Sequence, residues 1–275
     1  MTQTSGVLIF AYNNEKVNYI EQAIYVAQRI SKYLRLPTSL VTDTTVEFDD
    51  SVFDQVIRFD PVNYTRKAYN NGTIDKTSLS FKNDTRVYAY ELSPYDKTLL
   101  IDSDYIIADS VLSNCFTSAY DFMIYKDAFD LAGHRDYSEF DKINEVSIDF
   151  YWATCVYFTK TESNKTFFNL LQHIQDNWQH YRRVYQISTP VYRNDHAFSI
   201  AIHIMNNFEN GSFSNKMPGT MFYTTDKDIV CSIDDDKFVF LLEKENALDE
   251  YIPAKITGNS VHVMNKFSLS GVINE

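Results

Sequence analysis

Glycine is scarce in this sequence, at 7 of 275 residues, and proline is scarcer still at 6. So few glycines disfavour a glycine-rich phosphate loop, and so few prolines disfavour several domains strung on linkers. No run approaches the roughly 18 apolar residues of a membrane-spanning helix. The opening Met-Thr-Gln-Thr-Ser-Gly lacks the basic and apolar regions of a signal peptide. Cysteines stand only at 115, 155 and 231. An odd count without metal-ligand spacing reads as buried thiols in a reducing cytoplasm. Positive charge is short as well, with 25 Lys and Arg against 37 Asp and Glu, a net −12. That balance repels a polyanion at long range and disfavours extended duplex-DNA binding without excluding it or a local basic patch.

Apolar and aromatic residues are what the chain has in quantity: 44% are hydrophobic, with 20 Tyr and 20 Phe. This is a globular composition, and the length suits one large α/β domain. Its organising stretch is Thr98-Leu-Leu-Ile-Asp-Ser-Asp-Tyr-Ile-Ile107. The run Leu99–Ile101 suits a buried central strand, and it stops at Asp102, Ser103 and Asp104. Residues i and i+2 of an extended chain share a side, so two carboxylates project together from the strand's carboxyl end. Open α/β sheets bind ligands there. Hard carboxylate oxygens held so close suit Mg²⁺ or Mn²⁺, which in turn bridge phosphate oxygens.

Upstream, Gly6 to Tyr12 reads as a buried strand, residues 16–35 as an amphipathic helix and Ser39 to Asp43 as a second strand, together a parallel βαβ unit. The loop after the first strand holds no glycine, so a nucleotide there must be held by side chains such as Tyr12, Asn14 and Asp43. A third strand is expected over Phe53–Phe59, then a polar surface loop containing Tyr64, Arg66, Lys67 and Asn71-Gly72. Leu79 to Leu92 reads as a helix ending before Pro94, with Lys82 and Arg86 on one face where they could serve a pyrophosphate.

Downstream, Asp109 is expected to cap a short helix reaching about Tyr120, followed by a strand over Phe122–Tyr125. Leu131–Asp136 sets His134 beside Gly133, which suggests a turn or a close backbone approach. In the apolar segment Phe150–Phe158, Ala153 and Thr154 leave room beside the Trp152 ring. Phe167, Leu170, Leu171, Ile174 and Trp178 mark an amphipathic helix. Arg193-Asn-Asp-His196 leads into an apolar helix, placing Asn194, Asp195 and His196 at its start beside the core, with a capping role open to Asp195. Short β pieces follow, and His262 stands in an apolar strand over 260–266 with Lys266 four residues on.

Taken in order, these pieces resemble the GT-A fold glycosyltransferases of the nucleotide-diphospho-sugar transferase superfamily. Ser93-Pro-Tyr-Asp-Lys-Thr-Leu-Leu-Ile-Asp-Ser-Asp104 looks like that family's approach to its metal motif. Val261-His-Val-Met-Asn-Lys266 sits where the glycogenin-like and galactosyltransferase branches carry His-x-x-Gly-x-Lys. The phrasing, including Arg193-Asn-Asp-His-Ala-Phe-Ser-Ile-Ala201, is also similar to glycosyltransferase-like proteins of large tailed bacteriophages.

The resemblance implies a three-layer α/β/α domain over 1–275 with a mostly parallel central sheet and a small C-terminal β region. Residues 1–108 would form the nucleotide-binding half, and 109–275 the acceptor-side half with a C-terminal metal-ligand segment. It implies transfer of a hexosyl or pentosyl unit from a nucleotide-sugar donor to an unidentified acceptor, with Mn²⁺ or Mg²⁺ as cofactor. Asp102 would face the ribose or the metal, Asp104 the metal, and His262 would be the third protein ligand. Lys266 would meet the diphosphate, and Arg86 and Ser103 the donor. Asp195 would be the reaction-face carboxylate, with Trp152, Asn194, His196, Gly133 and His134 toward the sugar and acceptor. The sequence departs from the pattern in two places: Asn265-Lys266 shortens the His-to-Lys spacing by one, and Thr154-Cys155 replaces Ala-Gly. A degenerate nucleotide-sugar-binding protein and an enzyme glycosylating modified DNA bases are the alternative readings. A nucleotidyltransferase lacks its glycine loop here, and an Asp-x-Asp phosphatase lacks its Thr.

Overall fold

The computed structural model describes residues 4–61, 65–70, 72, 76–82, 84–133, 135, 140–144, 148–245 and 250–274. The chain opens with β1 (Ser5–Phe10), α1 (Tyr19–Tyr33), β2 (Thr38–Thr42) and β3 (Gln55–Arg58). Helix α1 starts where Asn18 caps it, its side chain accepting from the Glu21 amide, and the three strands pair in parallel. Next come β4 (Thr65–Asn70), β5 (Lys76–Phe81), a 3-10 turn over Asp84–Tyr88 and the short α2 (Ala89–Leu92). Strand β6 (Lys97–Asp102) returns beside β1 on the side away from β2. Then follow β7 (Tyr105–Ile106), a 3-10 segment over Val111–Thr117, β8 (Phe122–Tyr125), β9 (Ala128–Asp130) and β10 (Trp152–Thr159). The last part contains α3 (Glu162–Asp176), α4 (Trp178–Val184), α5 (Asn194–Met205), β11 (Asn215–Lys216) and β12 (Met221–Thr224). It ends with β13 (Ile229–Asp234), β14 (Lys237–Glu243), β15 (Tyr251–Thr257), β16 (Val261–Val263) and α6 (Lys266–Ile273).

The central sheet has the order β11-β8-β10-β6-β1-β2-β3, and only β10 runs against the rest. Alternate residues of its strands feed two cores, as the period of two requires. Val7, Ile9, Leu99 and Ile101 pack with α1 and with Phe238, Phe240 and Val261 of the C-terminal strands. Leu8, Leu100, Val156 and Phe158 pack with Phe167, Phe168 and Leu171 of α3 and Phe198 of α5. The result is a mixed α/β fold with a mostly parallel sheet between two layers. The C-terminal β region is a four-stranded sheet, β7-β16-β12-β9, beside an antiparallel β13-β14-β15. No helix among the described residues is long and apolar enough to cross a membrane.

Three expectations are corrected. Residues 79–92 do not form one helix: Lys-Thr-Ser-Leu-Ser-Phe81 is a strand paired antiparallel with β4, where a surface loop was expected. The register Lys67↔Leu79 and Tyr69↔Thr77 gives Leu79 and Tyr69 buried places in a small cluster with Val17, and that packing outweighs helix periodicity. The helix expected through Trp178 ends at Asp176, and α4 starts after Asn177. The terminal strand stops at Val263, and Asn265 caps α6 by accepting from the Ser268 amide, so Lys266 opens a helix.

Candidate metal and anion site

The chain runs from β1 out to β2 and β3, then comes back to β6 on the other side of β1. The gap between β1 and β6 is therefore a topological switch point, and Phe10 and Asp102 are register partners at its mouth. A cavity of about 450 Å³ opens there, within the usual range for small-molecule sites.

Local pairing assembles the metal-ligand candidates. Ser103 and Asp104 form the turn between β6 and β7, and β7 pairs antiparallel with β16 in the register His262↔Tyr105. The Val263 amide donates to the Asp104 carbonyl at 2.9 Å, which draws the last strand onto the acidic turn. One ligand atom each from Asp102, Asp104 and His262 lies within 4.8 Å of the others. His262 Nε2 is 3.3 Å from Asp104 Oδ2, and its Nδ1 is 3.5 Å from the Thr154 hydroxyl. Burial pushes the imidazole down to about 4, so it stays neutral with a lone pair to offer. Two carboxylates and a neutral imidazole are a donor set that fits a divalent metal ion with positions to spare.

Both carboxylates are already paired with cations. Arg86, almost wholly buried, donates through Nη1 to Asp102 and through Nη2 to the Ala153 carbonyl. Lys266 donates to Asp104 Oδ2, the oxygen that also faces His262. Burial first, and then the nearby charge of Lys67, pull the Lys266 ammonium down to about 7. Asp195 also lines the cavity, its Oδ1 accepting from the Ala153 amide at 2.9 Å and its Oδ2 lying 3.5 Å from Arg193. The Ala153 peptide thus links Asp195 on one side to Arg86 and Asp102 on the other.

Of the residues singled out in the sequence, Asp102, Ser103, Asp104, His262 and Lys266 line this cavity, as do Arg86 and Lys82. Tyr12, Trp152, Asn194 and Asp195 line it too. Tyr12 is held by its hydroxyl, which donates to the Phe59 carbonyl at 2.9 Å. Trp152 packs 5.0 Å from the Tyr223 ring and edge-on to His262. Lys82 reaches Asp43 at 3.0 Å, which leaves Asp43 behind the cavity wall as the partner of a lining residue.

Other candidates are placed elsewhere. Asn14 accepts from the Lys16 and Val17 amides and donates to the Ser80 carbonyl, bracing β5. His196 is buried against Trp178 and Phe150, away from the cavity lining. Gly133, with φ +69°, forms a turn with its amide donating to Asp130, also away from the cavity. His134 lies outside the described residues. Residues not singled out for the site line it as well: Arg66, Lys67 and Tyr69 of β4, Arg193 and Asp226. The Asn71-Gly72 dipeptide, a hairpin signal, was the available clue to the first three.

No protein-family model matches the chain, and no curated protein matches it. Solved structures do. The glycosyltransferase GlyE of Streptococcus pneumoniae TIGR4 is 9% identical with a TM-score of 0.43, over 79% of this chain and 45% of that one. This chain therefore spans less than half the length of GlyE. The galactosyltransferase LgtC, solved with donor and acceptor sugar analogs, is 11% identical with a TM-score of 0.45, over 72% of this chain and 70% of that one. An active-site mutant of LgtC gives 13% and 0.46, over 72% and 69%.

Proposed function

We propose that the protein is a metal-dependent glycosyltransferase of the GT-A type, moving a hexosyl or pentosyl unit from a nucleotide-diphosphate sugar to an acceptor hydroxyl in the cytoplasm. One observation carries the reading: Asp102, Asp104 and His262 converge at the sheet's switch point, in a cavity that also receives Arg86 and Lys266. Carboxylates that gather a cation and cations that gather phosphate are the two halves of a diphosphate site. Asp102, Asp104 and His262 would hold Mn²⁺ or Mg²⁺, whose positive charge would stabilise a departing nucleoside diphosphate. Lys266 and Arg86 add positive charge on the same leaving group. Tyr12 and Lys82 bound the nucleoside end, while Trp152 and Asn194 bound the sugar end. Asp195, fixed by the Ala153 amide, presents the carboxylate to the reacting face.

The test is calorimetry of UDP, GDP, ADP and CMP with and without Mn²⁺. The expected result is weak binding of the metal alone and tight, metal-dependent binding of one nucleotide. If no nucleotide binds in a metal-dependent way, the proposal fails.

A further inference from the structure

The cavity receives six basic side chains, and five of them have carboxylate partners. Arg66 pairs with Glu15, Lys82 with Asp43, Arg86 with Asp102, Arg193 with Asp195 and Lys266 with Asp104. Lys67 has no ion pair among the described residues. Its ammonium instead lies over two rings, 4.9 Å from the Phe81 centroid and 5.7 Å from that of Tyr69.

The hairpin explains how Lys67 comes to be there. In β4, Lys67 and Tyr69 share one face, and in β5 Leu79, the register partner of Lys67, and Phe81 lie on that same face. Tyr69 and Leu79 bury that face against Val17, with Tyr19 and Phe81 at its margin. Thr65, Lys67 and Tyr69 share this face with Thr77, Leu79 and Phe81, and Lys67 is the charged residue among the six, exposed at the cavity beside the buried Tyr69. The hairpin is anchored independently of it. Asn14 donates to the Ser80 carbonyl, Glu15 accepts from the Ser80 amide, and the Tyr19 and Tyr69 hydroxyls bond at 3.1 Å. Nothing in that anchoring uses the lysine's charge.

Lys67 lines the same cavity as Arg193, Asp226, Asp195, Asp102 and Lys266. The Lys67 charge acts on Lys266. Two ammonium groups directed at one space repel unless an anion stands between them. Resting on the donor-site reading above, we propose that Lys67 is a ligand-contacting residue, delivered by the β4–β5 hairpin to take the diphosphate from the face opposite Asp102 and Asp104. Lys266 and Lys67 then flank the same phosphate groups from the body and from the hairpin.

The experiment is calorimetry in Mn²⁺ with inorganic pyrophosphate and with the nucleoside diphosphate that wild type prefers, on wild type, Lys67→Met and Lys67→Arg. A lost charge-assisted contact predicts binding weaker by roughly 10-fold or more for Lys67→Met with both anions. Lys67→Arg should stay within a few-fold of wild type, while Mn²⁺ binding alone and the melting temperature stay unchanged. Lys67→Met binding pyrophosphate like wild type would overturn the assignment, as would equal losses in both variants with a lowered melting temperature. If wild type binds a nucleotide and Lys67→Met matches it, only this inference falls. If wild type binds no nucleotide but binds pyrophosphate through Lys67, the anion site stands and the donor reading falls. Binding of neither removes both.

Discussion

Asp195 accepts a hydrogen bond from the backbone amide of Ala153, 2.9 Å away on β10, and does not cap the helix it opens. The carboxylate is thus fixed by the sheet, on the residue whose carbonyl accepts from Arg86, the partner of Asp102. Asparagine can accept the same bond through Oδ1 but is neither basic nor anionic. Asp195→Asn should therefore keep its melting temperature and its metal-dependent nucleotide binding, yet lose transfer or donor hydrolysis by a factor of order 10² or more. Asp195→Ala leaves the Ala153 amide without its acceptor and should also lose about 1–3 kcal/mol of stability. Thermal melts and turnover of the two variants separate the roles, and full turnover in Asp195→Asn would remove Asp195 from the chemistry.

The strand that leads into the acidic turn depends on a glycine at the second position of its partner strand. Gly6 of β1 pairs with Thr98 of β6, and a Cβ at Gly6 would lie 2.3 Å from the Tyr95 ring. Tyr95 is buried and held by a 2.8 Å hydrogen bond with the Ser39 hydroxyl, so the ring has little freedom to retreat. Gly6→Ala should lower stability by about 1–3 kcal/mol, the usual range for overpacking. Adding Tyr95→Leu should recover part of the loss. Denaturant melts measure both, and a single variant as stable as wild type would show that the contact yields easily.

A pH-dependent stability follows from His196. Burial, with the Arg193 charge second, holds the imidazole down to about 4. In the unfolded chain it titrates near 6.5, so both states are neutral above that pH and the native state has its full stability. As pH falls from about 6.5 toward 4 the unfolded chain binds a proton that the native state refuses, and stability declines by up to about 3 kcal/mol. Below pH 4 this group adds no further loss. His196→Phe, which keeps an aromatic ring against Trp178 and Phe150, should flatten that part of the curve. Parallel curves for wild type and variant would refute the assignment.

Much of the site was legible because it follows short-range rules. The apolar run Leu99–Ile101 marks the buried strand that ends at Asp102, and Asp104 follows in the turn, where the pairing of β7 with β16 and not the period of two brings it to His262. Where the reading failed, the deciding contacts are long-range. Residues 79–81 left helix for strand because a partner strand lay some ten residues upstream with Val17 beneath it. Asp43 reads as a ligand candidate at a strand end, but Lys82 claims it from a segment 39 residues away. Asp195 and His196 are adjacent, yet a helix turns about 100° per residue, so one meets the cavity and the other the core. Lys67 was invisible as a site residue because nothing local distinguishes a loop lysine from one on the inward face of a hairpin.

The last prediction concerns Asp104 Oδ2, which faces both His262 Nε2 and the Lys266 ammonium. A divalent ion held by Asp102, Asp104 and His262 would draw on the same carboxylate, so Lys266 would compete with it as long as no phosphate draws the ammonium away. Replacing Lys266 with Met removes the competitor and the phosphate contact together. Mn²⁺ alone should then bind several-fold more tightly than to wild type, while nucleoside diphosphate in saturating Mn²⁺ binds roughly 10-fold or more weakly. Asp104→Asn should behave differently, losing metal-dependent nucleotide binding altogether with the fold intact, because the amide offers no anionic oxygen to either cation. Titrating Mn²⁺ with and without nucleotide reads each effect separately. If Lys266→Met lowers Mn²⁺ affinity in the absence of nucleotide, the ammonium supports the metal site and the competition does not exist.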